Sequence, residues 1–126
     1  MMYVILIGIG GFIGAVLRYL TSDLVQRIVG GALMPYGTLA VNMIGCLLIG
    51  FLAGVAEAHE VFSAEGRALV FVGLLGAFTT FSTFSFETTS LLRDGEIGVA
   101  LVNVGVQVAL GLVAVWLGNH LAARIG

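Results

Sequence analysis

A dense run of hydroxyl side chains, interrupted by two phenylalanines, lies in the third apolar stretch of the chain. Five of the seven residues from Thr79 to Ser85 are Ser or Thr, and the other two are Phe81 and Phe84. Residues three apart share a helix face, and a phenyl ring is electropositive at its edge. Hydroxyl donors such as Thr80 and Ser82 beside two ring edges suit a poorly solvated anion. A Phe pair at this spacing, taken alone, usually indicates packing.

The same run is expected to interrupt its helix. Hydroxyl groups in hydrocarbon need partners, and Ser or Thr can bond back to the carbonyl one turn earlier. Gly76, just before the run, offers a break point. Non-helical backbone at membrane depth survives only where protein buries it or water reaches it, and broken helices build ion sites. We therefore predict a broken third helix; the alternative is a regular helix whose hydroxyls all bond back.

Two other stretches carry pairs of uncharged polar residues at helical spacing. Thr38 and Asn42 are four apart, and so are Asn103 and Gln107, so each pair defines one helix face. Amides and hydroxyls donate hydrogen bonds without charge, and conduction requires binding that is favourable but weak. We predict that these four side chains line an anion path; the alternative is interhelical hydrogen bonding that only holds helices together.

Few ionisable residues lie at membrane depth. Arg18 follows Gly10 and Gly14 at four-residue steps, and it either anchors the helix at the interface or draws anions toward a vestibule. Glu87 lies three residues beyond Phe84, as a functional candidate by default or as a rim residue. The sequence has no metal-ligand cluster, catalytic triad or phosphate loop, so we do not expect an enzyme.

Composition sets the class of protein. Hydrophobic residues make up 60% of the 126 positions and charged residues 10%, and the mean hydropathy is +1.14. Soluble domains carry about a quarter charged residues. The net charge of -2 excludes a nucleic-acid partner, which needs clustered positive charge. The chain is therefore expected to be embedded in membrane lipid.

Four stretches are long enough to cross a bilayer, which takes roughly 20 apolar residues. They cover about residues 3–20, 36–56, 68–92 and 97–122, and the connections hold nearly all the charges. The first is expected to be a retained span, because its apolar part ends at Arg18 and Tyr19 instead of at a small-residue cleavage site. The sequence predicts one all-α domain over residues 1–126, an integral membrane four-helix bundle.

Glycines and arginines bear on assembly. Gly10 with Gly14, and Gly50 with Gly54, form four-residue pairs that indicate close packing within one subunit or between subunits. Successive connections lie on opposite membrane faces, so one face has two arginines and the other has three. Orientation follows the excess of basic residues in cytoplasmic loops, so we expect insertion in both orientations and an antiparallel homodimer with an isologous interface.

Three motifs carry a family resemblance. Residues 76–84 read GAFTTFSTF, residues 10–19 read GGFIGAVLRY, and residues 38–46 read TLAVNMIGC. The first resembles the signature of the Fluc fluoride channels, and the others are similar to that family's first and second helices. With the length and the four spans, the resemblance covers essentially the whole chain.

The resemblance implies passive fluoride export that protects microbes from toxicity, by an antiparallel homodimer with two pores in the bacterial plasma or inner membrane. It implies that Phe81, Phe84 and Asn42 line the pores, and that Thr80 and Ser82 belong to the same polar track. Carbonyls of Gly76 and Thr79 would hold a structural sodium ion, and Arg18 would match the first-helix arginine. Family members often have Tyr and Ser where this chain has Asn103 and Gln107, which puts the roles of these two in doubt.

Two other classes of membrane protein remain. A small proton-coupled multidrug-type exporter also has four helices, but it needs a carboxylate deep in its first helix, and residues 3–20 contain none. A non-transporting membrane subunit would leave the hydroxyl run from Thr79 to Ser85 without a purpose. A fluoride efflux assay in liposomes separates all three.

Overall fold

The structure is a computed structural model that describes residues 1–125, and the regular structure of these residues is entirely helical. Two long helices are followed by a segmented third span and a long last helix. In chain order the elements are α1 (Met2–Val29), α2 (Tyr36–His59), α3 (Ala64–Arg67), the π-helix π1 (Ala68–Leu75), α4 (Gly76–Phe78), α5 (Phe81–Arg93) and α6 (Ile97–Ala123).

Four helical spans are long and apolar enough to cross a membrane, as the sequence predicts. They are Met2–Val29, Tyr36–His59, Ala64–Arg93 and Ile97–Ala123. Large apolar side chains such as Phe12 and Leu112 are exposed along them. Such surface suits lipid, because hydrocarbon chains are as apolar as leucine. The chain is a multi-pass membrane protein.

Helix α1 continues nine residues beyond the predicted apolar stretch, from residue 20 to Val29. Asp23 and Arg27 form an ion pair of 2.9 Å one turn apart on this extension, which favours helix outside the hydrocarbon. Gly30 ends the helix with a φ of 63°, a conformation that glycine adopts without strain. The extension brings Gln26 to the start of α2, where its Oε1 accepts the Gly37 amide at 3.1 Å.

The glycine pairs are used for packing within the subunit. A Cβ at Gly10 would overlap the carbonyl oxygen of Leu69, and one at Gly14 that of Leu74, so α1 lies directly against the third span. Gly50 meets the backbone of α6 at Val115 in the same way. Close contact inside one subunit therefore occurs at Gly10, Gly14 and Gly50, and contact between subunits stays a prediction. In the bundle, α1 packs mainly against π1 and α4, and α2 packs mainly against α6.

The third span is broken at Thr79 and Thr80, as predicted, but not at Gly76. Gly76 is helical, with φ -61° and ψ -35°. Thr79 (φ -84°, ψ 159°) and Thr80 (φ -151°, ψ 118°) are extended. The break therefore lies three residues beyond the glycine, because the side chains that stabilise non-helical backbone act on Thr80. The break divides the span into a first arm (residues 64–78) and a second arm (α5).

Candidate functional site

Thr80 starts the second arm by capping its first turn. Its Oγ1 accepts the Thr83 amide at 3.1 Å, which satisfies one of the amides that a helix N-terminus leaves free. The hydroxyl donates in turn to Thr83 Oγ1 at 3.1 Å, and Ser82 Oγ lies 3.4 Å away. Part of the predicted polar track therefore forms a local hydroxyl cluster around the cap.

Asn42 on α2 replaces the helical hydrogen bonds that Thr80 loses. The Thr80 amide donates to Asn42 Oδ1 at 2.9 Å, and Asn42 Nδ2 donates to the Thr80 carbonyl at 3.1 Å. An unpaired backbone group away from water is costly, so this two-point contact is the reason that extended backbone is tolerated here. The break is built from two distant segments of the sequence.

A chain of side-chain hydrogen bonds continues from Asn42 across the bundle. Asn42 Nδ2 donates to Gln107 Oε1 at 3.1 Å, and Gln107 Nε2 to Asn103 Oδ1 at 3.4 Å. Asn103 Nδ2 donates to Thr88 Oγ1 at 2.9 Å, and that hydroxyl to the Phe84 carbonyl at 2.7 Å. This chain, which we call the amide ladder (Asn42, Gln107, Asn103 and Thr88), links α2, α6 and the second arm.

The two phenylalanines lie beside the ladder in a groove at the surface of the subunit. Their ring centroids are 5.5 Å apart with an angle of 53° between the planes. Phe84 is buried, whereas Phe81 is 78% exposed. The groove, of about 380 Å³, is also lined by Asn42, Thr80 and Gln107. Uncharged donors and two aromatic rings thus meet at one place, and we call it the lateral groove.

Arg18 lies on the other side of the break. Its Nε donates to the Ala77 carbonyl at 3.0 Å, one of the carbonyls that the broken helix leaves without an amide partner. It also lines a cavity of about 290 Å³ together with Thr38 and Thr80. The positively charged Arg18 therefore lines a cavity that is large enough for water and that reaches the break. Its guanidinium contacts the protein and does not extend only toward the membrane surface.

Glu87 is outside the lateral groove. It lines a separate cavity of about 320 Å³ with Ser22, Gln26 and Asp94. Its Oε1 is buried without a hydrogen-bond partner among residues 1–125. Thr38 lines the cavity beside Arg18 and Thr80 instead.

The predicted site residues do not all lie at one place. Asn42, Thr80, Phe81, Phe84 and Gln107 line the lateral groove together. Asn103 is fully buried behind Gln107, Ser82 is exposed beside the cap, and Thr38, Arg18 and Glu87 belong to the two cavities on the other side. Their roles in conduction stay predictions.

Sequence reasoning missed Thr88, the last member of the amide ladder. Thr88 lies one turn beyond Phe84, outside the run from Thr79 to Ser85, and bonds back to the Phe84 carbonyl. The sequence feature that points to Thr88 is Asn103, because a buried side-chain amide requires hydrogen-bond partners. An unassigned hydroxyl on a neighbouring span was the natural candidate.

The end of α4 has the oxygen chemistry that a hard cation requires. The helical hydrogen-bond pattern stops at the extended residues Thr79 and Thr80, so carbonyls of the preceding turn lose their amide partners. Arg18 satisfies Ala77, while Gly76 and Thr79 line the lateral groove. Among the described residues no cluster of three or more His, Cys, Asp or Glu side chains is present. Hard cations prefer oxygen ligands of this kind, and a sodium ion at Gly76 and Thr79 stays a prediction.

Comparison with known proteins bears on the whole chain. The family described as "CrcB-like protein, Camphor Resistance" matches residues 5–119. The chain belongs to the CrcB-like family. Relatives named "Fluoride-specific ion channel FluC" are similar over nearly their full lengths. The Methylobacillus flagellatus relative is 45% identical over 121 residues, with 96% of this chain and 94% of the relative covered.

Two further relatives of the CrcB-like chain have the same printed name. The relative from Parabacteroides distasonis is 47% identical over 125 residues, which are 99% of this chain and 96% of that protein. The relative from Geotalea daltonii is 48% identical over 125 residues, 99% of this chain and 100% of that protein. The resemblance identified from the three motifs is therefore confirmed, and the relatives' names describe an ion channel rather than an enzyme.

Proposed function

We propose that this protein is a passive, fluoride-selective channel of the cell membrane that lets fluoride leave the cell and so relieves its toxicity. The observation that carries the proposal is the lateral groove, in which Phe81 and Phe84 lie beside uncharged donors at a helix break. The names of the relatives support the choice of fluoride over other anions.

The chemistry of the groove suits an ion that has to enter and leave quickly. Hydroxyl and amide donors replace part of the hydration shell, and electropositive ring edges add weak attraction. The residues that line the groove are uncharged, so an anion is not held there by a fixed cation. Conduction depends on binding of this moderate strength. Arg18, in the adjoining cavity, would raise the local anion concentration.

We further propose that the working unit is an antiparallel homodimer embedded in lipid. Thr80 and Asn42 are partly exposed and line the lateral groove, where Phe81 is exposed. Irregular backbone facing lipid is not tolerated, so a second copy is the natural cover. With two arginines near one face and three near the other, insertion has little orientation bias.

The central experiment is fluoride efflux from liposomes, recorded with a fluoride electrode. We expect rapid fluoride efflux, little chloride efflux, and no need for a proton or sodium gradient. Efflux driven only by a pH gradient would indicate a proton-coupled exporter, and an absence of efflux would indicate a non-transporting subunit. Equal rates for chloride and fluoride contradict the selectivity.

The phenylalanine rings have a matched control on the same helix. Phe81→Ile and Phe84→Ile keep an apolar side chain but remove the ring edge, so fluoride efflux should fall strongly while the protein stays folded. Phe86 is 66% exposed and lies outside the lateral groove, so Phe86→Ile should leave efflux near that of the parent. If all three variants behave alike, the rings only pack.

We also propose that a structural sodium ion is held by the carbonyls of Gly76 and Thr79 and supports the dimer. Purification with a large organic cation in place of sodium should lower the thermal stability or the efflux rate, and adding sodium back should restore it. The proposal fails if stability and efflux are independent of sodium at every concentration.

Topology is tested by labelling single cysteines in intact cells. Cys46 is the only natural cysteine, so a Cys46→Ala background with one new cysteine in residues 60–63 gives a clean reporter. Labelling from both sides of the membrane is the expected result. Labelling from one side only would contradict dual topology, whatever the efflux assay shows.

A further inference from the structure

The donor capacity of Asn42 is fully used within the subunit. A primary amide has two N–H donors and one carbonyl acceptor. One Nδ2 hydrogen goes to the Thr80 carbonyl and the other to Gln107 Oε1, and Oδ1 accepts the Thr80 amide. To donate to an anion, Asn42 would have to release either the backbone of the break or the amide ladder.

Gln107 has a donor to spare. Its Oε1 accepts from Asn42, which fixes the plane of the amide, and one Nε2 hydrogen goes to Asn103 at a long 3.4 Å. The second Nε2 hydrogen has no hydrogen-bond partner among residues 1–125. Gln107 lines the lateral groove with Phe81 and Phe84. The side chain that can donate without breaking an existing contact is therefore Gln107.

Asn103 lies behind Gln107 and holds it in place. Asn103 is fully buried and is absent from the lining of the lateral groove. Its Oδ1 accepts from Gln107 and its Nδ2 donates to Thr88. This pattern sets which end of the Gln107 amide is the nitrogen, because an acceptor on one side and a donor on the other allow only one orientation.

We propose that Gln107 supplies the amide N–H that contacts fluoride in the lateral groove, while Asn42 is a positioning residue that holds the helix break and orients Gln107. The inference rests on the proposed fluoride conduction and assigns its donor. Asn103 and Thr88 are positioning residues further along the same ladder.

Side-chain amide spectra of the full-length protein test this directly. The chain has only two glutamines, Gln26 and Gln107, and three asparagines, Asn42, Asn103 and Asn119. Selective labelling of these amide nitrogens with ¹⁵N gives few signals, which single variants such as Asn42→Asp assign. The probe is sodium fluoride added to the detergent-solubilised protein, with sodium chloride at equal ionic strength as the control.

Fluoride should shift the Gln107 side-chain protons downfield by more than those of Asn42, while Gln26 and Asn119 stay unchanged. A fluoride shift at Asn42 that equals or exceeds the shift at Gln107, or no shift at Gln107, overturns the assignment. These outcomes are distinct from failure of the proposed function, which is an absence of fluoride efflux from parent liposomes.

Gln107→Glu removes the N–H donors of Gln107, including the one to Asn103, and keeps an acceptor for Asn42. The introduced carboxylate still accepts from Asn42 but has no N–H, so efflux should fall roughly tenfold or more, as expected for losing a hydrogen bond to a charged group. At lower pH the carboxyl regains one O–H donor, and efflux should partly recover. Asn119→Asp makes the same change at an exposed position of α6 and should keep the parent's rate and pH profile.

Protein-free vesicles provide the background at each pH, because protonated fluoride crosses lipid without a channel. A Gln107→Glu variant that matches the parent at every pH overturns the proposal. So does one whose loss is the same at all pH values, because the introduced carboxyl regains a donor when it is protonated.

Discussion

The two arms of the third span meet at the break but are held by different forces. The first arm, residues 64–78, contains no Ser or Thr, and its backbone lies directly against α1 at Gly10 and Gly14. The second arm, α5, begins with the Thr80 cap and is tied to α6 through Thr88 and Asn103. Close packing holds one arm, and separate hydrogen bonds hold the other.

This difference indicates how an ion path can lie beside a rigid frame. Close-packed backbones do not yield gradually, because overlap rises steeply with small displacements. Interhelical hydrogen bonds in membranes average well under about 2 kcal/mol each, so groups in the second arm can exchange partners with an ion at modest cost. The first arm is therefore rigid, and the groups that line the lateral groove include residues of the second arm and of the helices α2 and α6 beside it.

The largest effect is expected where the first arm packs. Gly14→Val places a side chain on the Leu74 carbonyl, and backbone cannot move aside as a side-chain tip can. We expect the free energy of unfolding to fall by more than about 3 kcal/mol, above the usual range for overpacking. Size-exclusion chromatography should therefore show little folded protein. Gly8 has nothing within 4 Å of its would-be Cβ, so Gly8→Val is the control that should fold.

The next effect concerns the joint between the arms. Asn42→Leu removes the partners of both the amide and the carbonyl of Thr80, and each unpaired group costs about 1–3 kcal/mol. The melting temperature should fall markedly and fluoride efflux should disappear. Asn119→Leu, an exposed change on α6, should leave both near the parent. An unchanged melting temperature for Asn42→Leu would mean that the break is stabilised by other groups.

A smaller effect is expected at the cap of the second arm. Thr80→Val keeps the shape of the side chain but loses the acceptor for the Thr83 amide, at a cost of about 1 kcal/mol. Thr80→Ser retains the oxygen and should restore most of the stability. Calorimetry of the three proteins checks this order, and equal losses for Val and Ser would show that the methyl group, not the oxygen, matters.

The smallest effect separates two adjacent hydroxyls of the second arm. Thr88 and Thr89 both bond back one turn, at 2.7 and 2.8 Å, but only Thr88 also accepts from Asn103. Thr88→Val should cost about 0.6 kcal/mol more than Thr89→Val, the average for an interhelical bond in a membrane. Denaturant titration of both variants provides the measurement, and indistinguishable curves would remove Thr88 from the amide ladder.

The sequence predicts which residues line the lateral groove better than it predicts how they are arranged in space. Phe81 and Phe84 were grouped because spacing along one helix determines which side chains are neighbours. The family resemblance, not spacing, placed Asn42 beside them. Thr38 shares a helix face with Asn42 by spacing, yet it lines the cavity beside Arg18 and not the lateral groove. A four-residue step puts two side chains on one face but does not say which neighbours that face will meet.

The sequence by itself determined the class, the four spans and the approximate place of the break. Those properties are local: the apolar length needed to cross a bilayer and the density of hydroxyls can be counted along the chain. Only the tertiary structure decided that the break falls at Thr80 rather than Gly76, and that Asn42 bonds to Gln107. These partners are separated by 38 and 65 positions in the sequence. Their meeting depends on how α2 and α6 are rotated about their axes, and the close contact of glycines with neighbouring backbones sets that rotation.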